Sequence, residues 1–114
     1  MSDRLKNKVA VVTGGASGIG EGMVRRFTAE GAKVILADVD EANGSRIAGE
    51  CGVDFALLDV SSAESWRSLA DTIRAESGQL DILVNNAGIV TGLDITAVTV
   101  EDWQQLMSNR KSVV

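Results

Sequence analysis

Short apolar runs alternate with amphipathic segments along most of this 114-residue sequence, and this alternation constrains the fold more than any other feature. The apolar runs are rich in β-branched residues, which is typical of strands that are buried on both faces of a parallel sheet. We predict four such strands, at residues 9–12, 33–38, 53–60 and 80–85. A segment with helical spacing follows each run, so the chain consists of repeated strand–helix units.

The segments that follow the strands have the apolar spacing of helices with one buried face. We predict them at residues 17–30, 40–51 and 61–77, with a last amphipathic stretch that begins at Thr99. Their expected core-facing residues are Ile19, Met23 and Phe27 in the first helix and Trp66, Leu69 and Ile73 in the third. Ser61 or Ser62 is expected to cap the third helix.

Repeated strand–helix units with short connections predict an α/β fold, in which a parallel sheet carries helices on both faces. We expect one domain, residues 1–114, built as a Rossmann-like doubly wound sheet with four strands in the order 3-2-1-4. In this order the fourth strand would be an edge, and residues 80–84 would present an apolar strand without a partner. Ligands of such sheets bind where the strand order reverses, between strands 1 and 4.

Composition removes several classes of chemistry. The sequence contains no histidine and no tyrosine, so it has no Ser-His-Asp triad and no phenol that could act as a proton donor. Its one cysteine, Cys51, cannot form an internal disulfide or a zinc site of the usual Cys/His kind. A net charge of −5 argues against a nucleic-acid partner, and no apolar run reaches the roughly 18 residues that a membrane span needs. We therefore expect a cytoplasmic protein with neither nucleic-acid nor membrane partners.

A glycine-rich loop, residues 13–20 with the sequence TGGASGIG, lies between the first strand and the first helix. Gly14, Gly18 and Gly20 permit tight turns and a close approach of another molecule to the backbone. The unpaired N–H groups at a helix N-terminus favour a pyrophosphate at such a loop. No lysine follows Gly20, which excludes a P-loop nucleotide triphosphatase. The alternative is a glycine-rich turn that binds no ligand.

Asp38 stands at the carboxyl end of the second predicted strand, 18 positions after Gly20. A carboxylate at this place can accept hydrogen bonds from the hydroxyls of an adenosine ribose, and it would repel the 2′-phosphate of NADP. Neither Ser17 in the loop nor Val39 is basic, so neither would hold that phosphate. The pattern predicts NAD as the cofactor. The alternative for Asp38 is a cap on the helix that begins near Asp40.

Three motifs stand in order at the carboxyl ends of predicted strands. They are the glycine-rich loop, Asp59 and Val60 after the third strand, and residues 85–88, NNAG, after the fourth. With these motifs the sequence resembles the short-chain dehydrogenases/reductases from Lys8 to about Met107. The resemblance implies an enzyme that uses a nicotinamide cofactor.

The resemblance also implies which residues bind that cofactor. They are Gly14, Ser17, Gly18, Ile19 and Gly20 at the pyrophosphate, Asp38 at the adenosine ribose, Asp59 and Val60 at the adenine, and Asn86, Ala87 and Gly88 along the ribose and nicotinamide side. Asn85 would tie neighbouring strands together. Two alternatives follow from the residue types alone. Asp59 could simply cap the third helix, and Asn85 and Asn86 could simply form a turn.

The sequence departs from the family pattern in its last residues. Family members carry a serine and then a tyrosine, followed four positions later by a lysine, in a second half that makes them about twice this length. This sequence ends before that segment, so we expect it to be the N-terminal, cofactor-binding half of such a protein and assign it no catalytic residue. The family's catalytic-network asparagine follows a tryptophan after seven positions, whereas Asn109 follows Trp103 after six. Asn109 is therefore an imperfect match.

Three functions are compatible with these residues. The first is an NAD-dependent oxidoreductase, present as its cofactor-binding portion, that transfers hydride between nicotinamide and an alcohol or carbonyl substrate. The second is a module or remnant that binds NAD without catalysis. The third is an interaction domain that uses the open edge of the fourth strand. The resemblance implies a small-molecule substrate for the full-length relative and assembly into homo-oligomers, but it does not identify the substrate.

Overall fold

The computed structural model describes residues 4–85 and 112–113. Strands and helices alternate along the first of these ranges, as the apolar pattern predicts. The strands are β1 (Val9–Thr13), β2 (Lys33–Asp38), β3 (Asp54–Leu57), β4 (Ile82–Asn85) and β5 (Ser112–Val113). The helices are α1 (Gly18–Ala29), α2 (Glu41–Cys51) and α3 (Ala63–Glu76).

The strands form one parallel sheet in the order β3-β2-β1-β4-β5. The predicted order 3-2-1-4 is therefore confirmed. The prediction that the fourth strand is an unpaired edge was wrong, because β5 pairs with β4 and places Ser112 opposite Ile82 and Val113 opposite Leu83. This pairing gives partners to backbone groups of β4 that an edge strand would leave exposed. The proposed interaction domain required an open β4 edge, and at these positions the edge is occupied by β5.

Two predicted strands are longer than the observed ones. The third ends at Leu57 rather than at residue 60, because the carboxylate of Asp59 accepts the backbone N–H of Ser61 at 2.9 Å and turns the chain. Leu58 nevertheless remains paired through its N–H to the carbonyl of Asp38 at 2.9 Å. The fourth begins at Ile82, two residues later than predicted. The amphipathic stretch predicted from Thr99 lies outside the described residues.

The central strands bury both faces, and each face carries its own helices. Val11 and Ile35 face α3, where Trp66, Leu69 and Ile73 are buried as predicted. On the other face, α1 and α2 cover an apolar cluster that contains Val12, Val34, Leu36 and Ile47. The sheet is thus a middle layer between helices, which explains why its strands read as continuous apolar runs.

The buried face of α1 differs from the predicted one. Ile19 is 70% exposed, whereas Gly20 and Val24 are buried and Met23 and Phe27 pack at the margin of the core. Only four residues separate the end of β1 from the first turn of α1, so this turn lies at the carboxyl edge of the sheet, where Ile19 faces solvent. The repeat of apolar residues therefore identified the helix correctly but included one residue that is not in the core.

Two buried polar side chains join β1 to β4, one at each end of the pair. At the amino end, the carboxylate of Asp81 accepts the N–H of Val9 at 2.8 Å. At the carboxyl end, the hydroxyl of Thr13 donates to the carbonyl of Val84 at 3.1 Å. These bonds fix the two strands between which the strand order reverses. Within residues 4–85, no helix is both long enough and apolar enough to cross a membrane.

Candidate cofactor-binding site

A cleft of about 430 Å³ opens at the carboxyl edge of the sheet. It is lined by residues from the ends of β1, β2 and β3, namely Gly14, Ser17, Asp38, Val39, Leu58, Asp59 and Val60. Three separate segments of the chain meet here because parallel strands bring all their carboxyl ends to one edge. This is the edge at which doubly wound sheets bind ligands.

The glycine-rich loop forms one wall of the cleft. Gly14 adopts a φ of 67°, a left-handed conformation that favours glycine, and its N–H donates to the carbonyl of Ala37 at 2.8 Å. The hydroxyl of Ser17 donates back to the carbonyl of Gly14 at 2.8 Å. The loop is therefore closed on itself and tied to β2 before α1 begins.

The N-terminus of α1 differs from those of the other two helices within residues 4–85. The side chain of Asp40 caps α2 by accepting the N–H of Asn43, and that of Ser62 caps α3 by accepting the N–H of Ser65. Ser17 makes no such bond to α1. A Cβ added at Gly18, the first residue of α1, would meet nothing within 4 Å. The start of α1 thus has no side-chain cap and is open at Gly18, an arrangement that suits an anion.

A second glycine of the loop serves packing rather than ligand access. A Cβ added at Gly15 would lie 2.6 Å from Cγ of Leu36 in the core. The loop can therefore lie against β2 only if residue 15 has no side chain. The glycine spacing alone did not identify Gly15, since its partner is distant in sequence.

Asp38 joins the end of β2 to the glycine-rich loop. Its Oδ2 accepts the N–H of Ala16 at 3.0 Å, and its Oδ1 accepts the N–H of Asp40 at 2.9 Å. The side-chain cap of α2 comes from Asp40 and not from Asp38, so the alternative role considered for Asp38 does not hold. Each carboxylate oxygen has two acceptor positions, and Asp38 can therefore also accept from a ligand in the cleft.

Asp59 is held in a tight turn at the opposite side of the cleft. Its Oδ1 accepts the hydroxyl of Ser61 at 2.6 Å and the backbone N–H of the same residue at 2.9 Å. These two bonds, the one from the hydroxyl foremost, lower the pKa of Asp59 below its ordinary value of 3.8. Ser62 supplies the side-chain cap of α3, so Asp59 shapes the turn before the helix instead of capping it.

Removing the Ser61 hydroxyl is expected to raise the pKa of Asp59 towards 3.8. The lowered pKa stabilises the folded chain above that pH, and the contribution is lost as the pH falls through the folded-state pKa. In Ser61→Ala this contribution should therefore be smaller, and its loss should be complete at a higher pH than in the wild type. An NMR titration of the Asp59 carboxyl measures the change directly. Ser61→Thr keeps a hydroxyl and should retain the low value, and equal pKa values in Ser61→Ala and the wild type would contradict this account.

The structure brings together five of the predicted site residues, Gly14, Ser17, Asp38, Asp59 and Val60. Gly18 and Ile19 follow at the exposed start of α1, while Gly20 is buried on its inner face. Asn86, Ala87, Gly88 and Asn109 lie outside the described residues, and their roles stay predictions. Leu58 and Val39 also line the cleft and were not predicted from the motifs, although each stands next to a predicted aspartate.

Comparison with known proteins identifies the chain's relatives. The family model for short chain dehydrogenase matches residues 8–114. The chain belongs to the short-chain dehydrogenase family. The resemblance predicted from the three motifs is thereby confirmed.

Individual relatives in the family differ in what they act on. The chain is 42% identical over 116 residues to 3-beta-hydroxysteroid dehydrogenase of Comamonas testosteroni, a match that covers 99% of this chain and 46% of that protein. It is 41% identical over 112 residues to the NADP-dependent (R)-specific alcohol dehydrogenase of Lentilactobacillus kefiri, covering 95% and 44%. The chain thus spans less than half the length of these curated relatives.

A solved structure shows the same fold. It is that of 3-ketoacyl-(acyl-carrier-protein) reductase from Brucella melitensis complexed with NADH, which matches with a TM-score of 0.71 and 35% sequence identity. The match covers 91% of this chain and 49% of that one. The Rossmann-like sheet of this short-chain dehydrogenase is therefore shared with a relative that was solved with a nicotinamide cofactor.

Proposed function

We propose that this chain is the NAD-binding portion of an oxidoreductase that interconverts an alcohol and a carbonyl compound. The observation that carries the proposal is the position of Asp38, whose carboxylate lines the cleft while it holds the loop that leads into α1. Asp38 thus lies between the start of α1, where a diphosphate would bind, and the cleft, where a ribose would bind.

The residues of the cleft fit the parts of a dinucleotide. The first turn of α1 would hold the pyrophosphate, Asp38 the adenosine ribose, and Asp59 and Val60 the adenine. When bound, the cofactor supplies a nicotinamide ring that accepts or donates hydride. The residues of this chain bind and orient it. Leu58 and Val39 add apolar surface to the cleft.

The charge of the cleft favours NAD over NADP. Its lining residues include two carboxylates, Asp38 and Asp59, and among those that the structure describes none is a lysine or an arginine. The 2′-phosphate of NADP would lie beside Asp38 and be repelled. The family itself does not decide this question, because one relative is NADP-dependent and another was solved with NADH.

Calorimetric titration of the chain with NAD and with NADP tests the proposal. We expect NAD to bind at least about tenfold more tightly. Asp38→Ala should weaken NAD binding by about tenfold or more, because a charge-assisted hydrogen bond to the ribose is lost. The same change should also reduce the difference between the affinities for NAD and NADP, since the carboxylate that repels the 2′-phosphate is removed.

Asp54→Ala is a matched control for the Asp38 variant. Asp54 is exposed at the amino end of β3, which is the opposite edge of the sheet, and its removal changes the net charge equally. We expect it to leave both affinities unchanged. An Asp38→Ala variant that binds NAD as tightly as the wild type would refute the role of Asp38, and tighter binding of NADP by the wild type would refute the proposed specificity.

Substrate, location and assembly of the whole protein are further parts of this proposal. The curated relatives are, by name, dehydrogenases of steroids and alcohols, which supports a small-molecule alcohol or carbonyl substrate. We also propose a cytoplasmic protein that assembles into homo-oligomers, as the resemblance implied. A binding module without catalysis differs from this proposal in one measurable way, since a longer protein that contains this chain would then bind NAD but oxidise no alcohol.

A further inference from the structure

Ala16, the residue just before the first helix cap, is held on both of its backbone polar groups. Its N–H donates to Oδ2 of Asp38 at 3.0 Å, and its carbonyl accepts from Nδ2 of Asn43 at 3.4 Å. Ala16 is followed at once by Ser17, where α1 is capped. The position of Ala16 therefore sets where the first turn of α1 begins.

The amide of Asn43 is oriented by its neighbours on α2. Arg46 donates from Nη2 to Oδ1 of Asn43, and a guanidinium has donors only. The amide oxygen must therefore face Arg46, which leaves Nδ2 to face the loop. Arg46 is itself paired with Glu50 at 2.8 Å, and Glu50 also meets Arg25 of α1 at 3.3 Å.

We propose that Asn43 is a positioning residue for the cofactor diphosphate, an inference that rests on the proposed function. Asn43 does not line the cleft among its described residues, so it acts through Ala16 and not by touching a ligand. It fixes the Ala16 carbonyl away from the anion and keeps the N–H groups of α1 aimed at the diphosphate. Asp38, in contrast, holds the loop and would also contact the ribose.

This role predicts which ligands respond to a change at Asn43. Adenosine would contact Asp38, Asp59 and Val60, which belong to β2 and the turn after β3. ADP-ribose and NAD add the diphosphate, which depends on the loop and α1. In Asn43→Ala, affinity for ADP-ribose and NAD should fall about fivefold, the equivalent of one hydrogen bond, while affinity for adenosine stays within twofold.

Three variants on α2 make the test specific. Asn43→Asp keeps the shape of the side chain and the acceptor for Arg46, but it places an oxygen opposite the Ala16 carbonyl. Its loss of affinity for ADP-ribose and NAD should therefore equal or exceed that of Asn43→Ala. Ser45→Ala, at an exposed position of the same helix, should change nothing. Calorimetry with NAD, ADP-ribose and adenosine gives the affinities, and the melting temperature shows whether each variant folds.

A second measurement reads the loop without any ligand. In Asn43→Ala the backbone amide signals of Ser17 and Gly18 should shift, as seen by NMR, and the Ser17 N–H, which donates to the carbonyl of Gly14 at 3.1 Å, should exchange faster with solvent. Unchanged signals would overturn the inference, and so would equal losses for adenosine and ADP-ribose. A wild type that binds no NAD would instead refute the proposed function, while the amide signals would still report whether Asn43 holds the loop.

Discussion

The Gly18→Val variant is expected to lose about 100-fold or more in affinity for NAD while it folds as the wild type does. Gly18 is the first residue of α1, and a Cβ there would meet nothing within 4 Å. The side chain would therefore stand in the open space that a diphosphate needs in order to reach the N–H groups of the first turn. Because the Cβ position is open, the substitution should cost the fold little.

Gly22→Val is the matched control for Gly18→Val. Gly22 lies one turn further along α1, and a Cβ there would also meet nothing within 4 Å. Valine is a better helix former than glycine, so neither variant should melt below the wild type. Only Gly18→Val should show a lower affinity for NAD in a calorimetric titration. Wild-type affinity in Gly18→Val would show that the diphosphate does not bind at α1, and equal losses in the two variants would show a general effect on the helix.

The glycine-rich loop shows what sequence spacing can and cannot predict. Its spacing correctly indicated a tight turn at Gly14 and an accessible backbone at Gly18. It gave no reason to single out Gly15, which is required because Leu36 lies against it. That contact joins two segments whose approach depends on the whole sheet, and no local pattern records it.

In the rest of the fold and in the site, too, local patterns were predictable from the sequence, whereas contacts between distant segments were not. The parallel sheet and the place of Asp38 at the end of its second strand followed from strand–helix alternation, which is a local and repeated signal. Solvent exposure of Ile19 did not follow, because helical spacing does not tell which turn lies beyond the sheet. Asn43 could not have been found either, since its bond to Ala16 spans 27 positions and requires α2 to lie beside the loop.

The second large effect is expected in the core, where Trp66→Ala should destabilise the chain by about 3–5 kcal/mol. Trp66 is only 4% exposed and packs with Leu69 and Ile73 beneath the sheet. Its indole N–H also donates to the carbonyl of Val60 at 3.0 Å, which holds one wall of the cleft. Since domains of this kind are stable by only about 5–15 kcal/mol, we expect much of the variant to unfold at low urea concentration, as followed by circular dichroism.

A milder variant at Trp66 and a surface control on the same helix accompany Trp66→Ala. Trp66→Phe keeps most of the buried ring but loses the N–H, so it should cost more than the roughly 1 kcal/mol of a hydrogen bond and less than Trp66→Ala. Ser68→Ala, at an exposed position of the same helix, should leave stability within about 0.5 kcal/mol of the wild type. If Trp66→Phe also weakens NAD binding beyond its effect on folding, then the carbonyl of Val60 transmits the packing of α3 to the adenine side of the cleft. A loss of less than about 1 kcal/mol in Trp66→Ala would instead mean that this face of the sheet does not depend on its largest side chain.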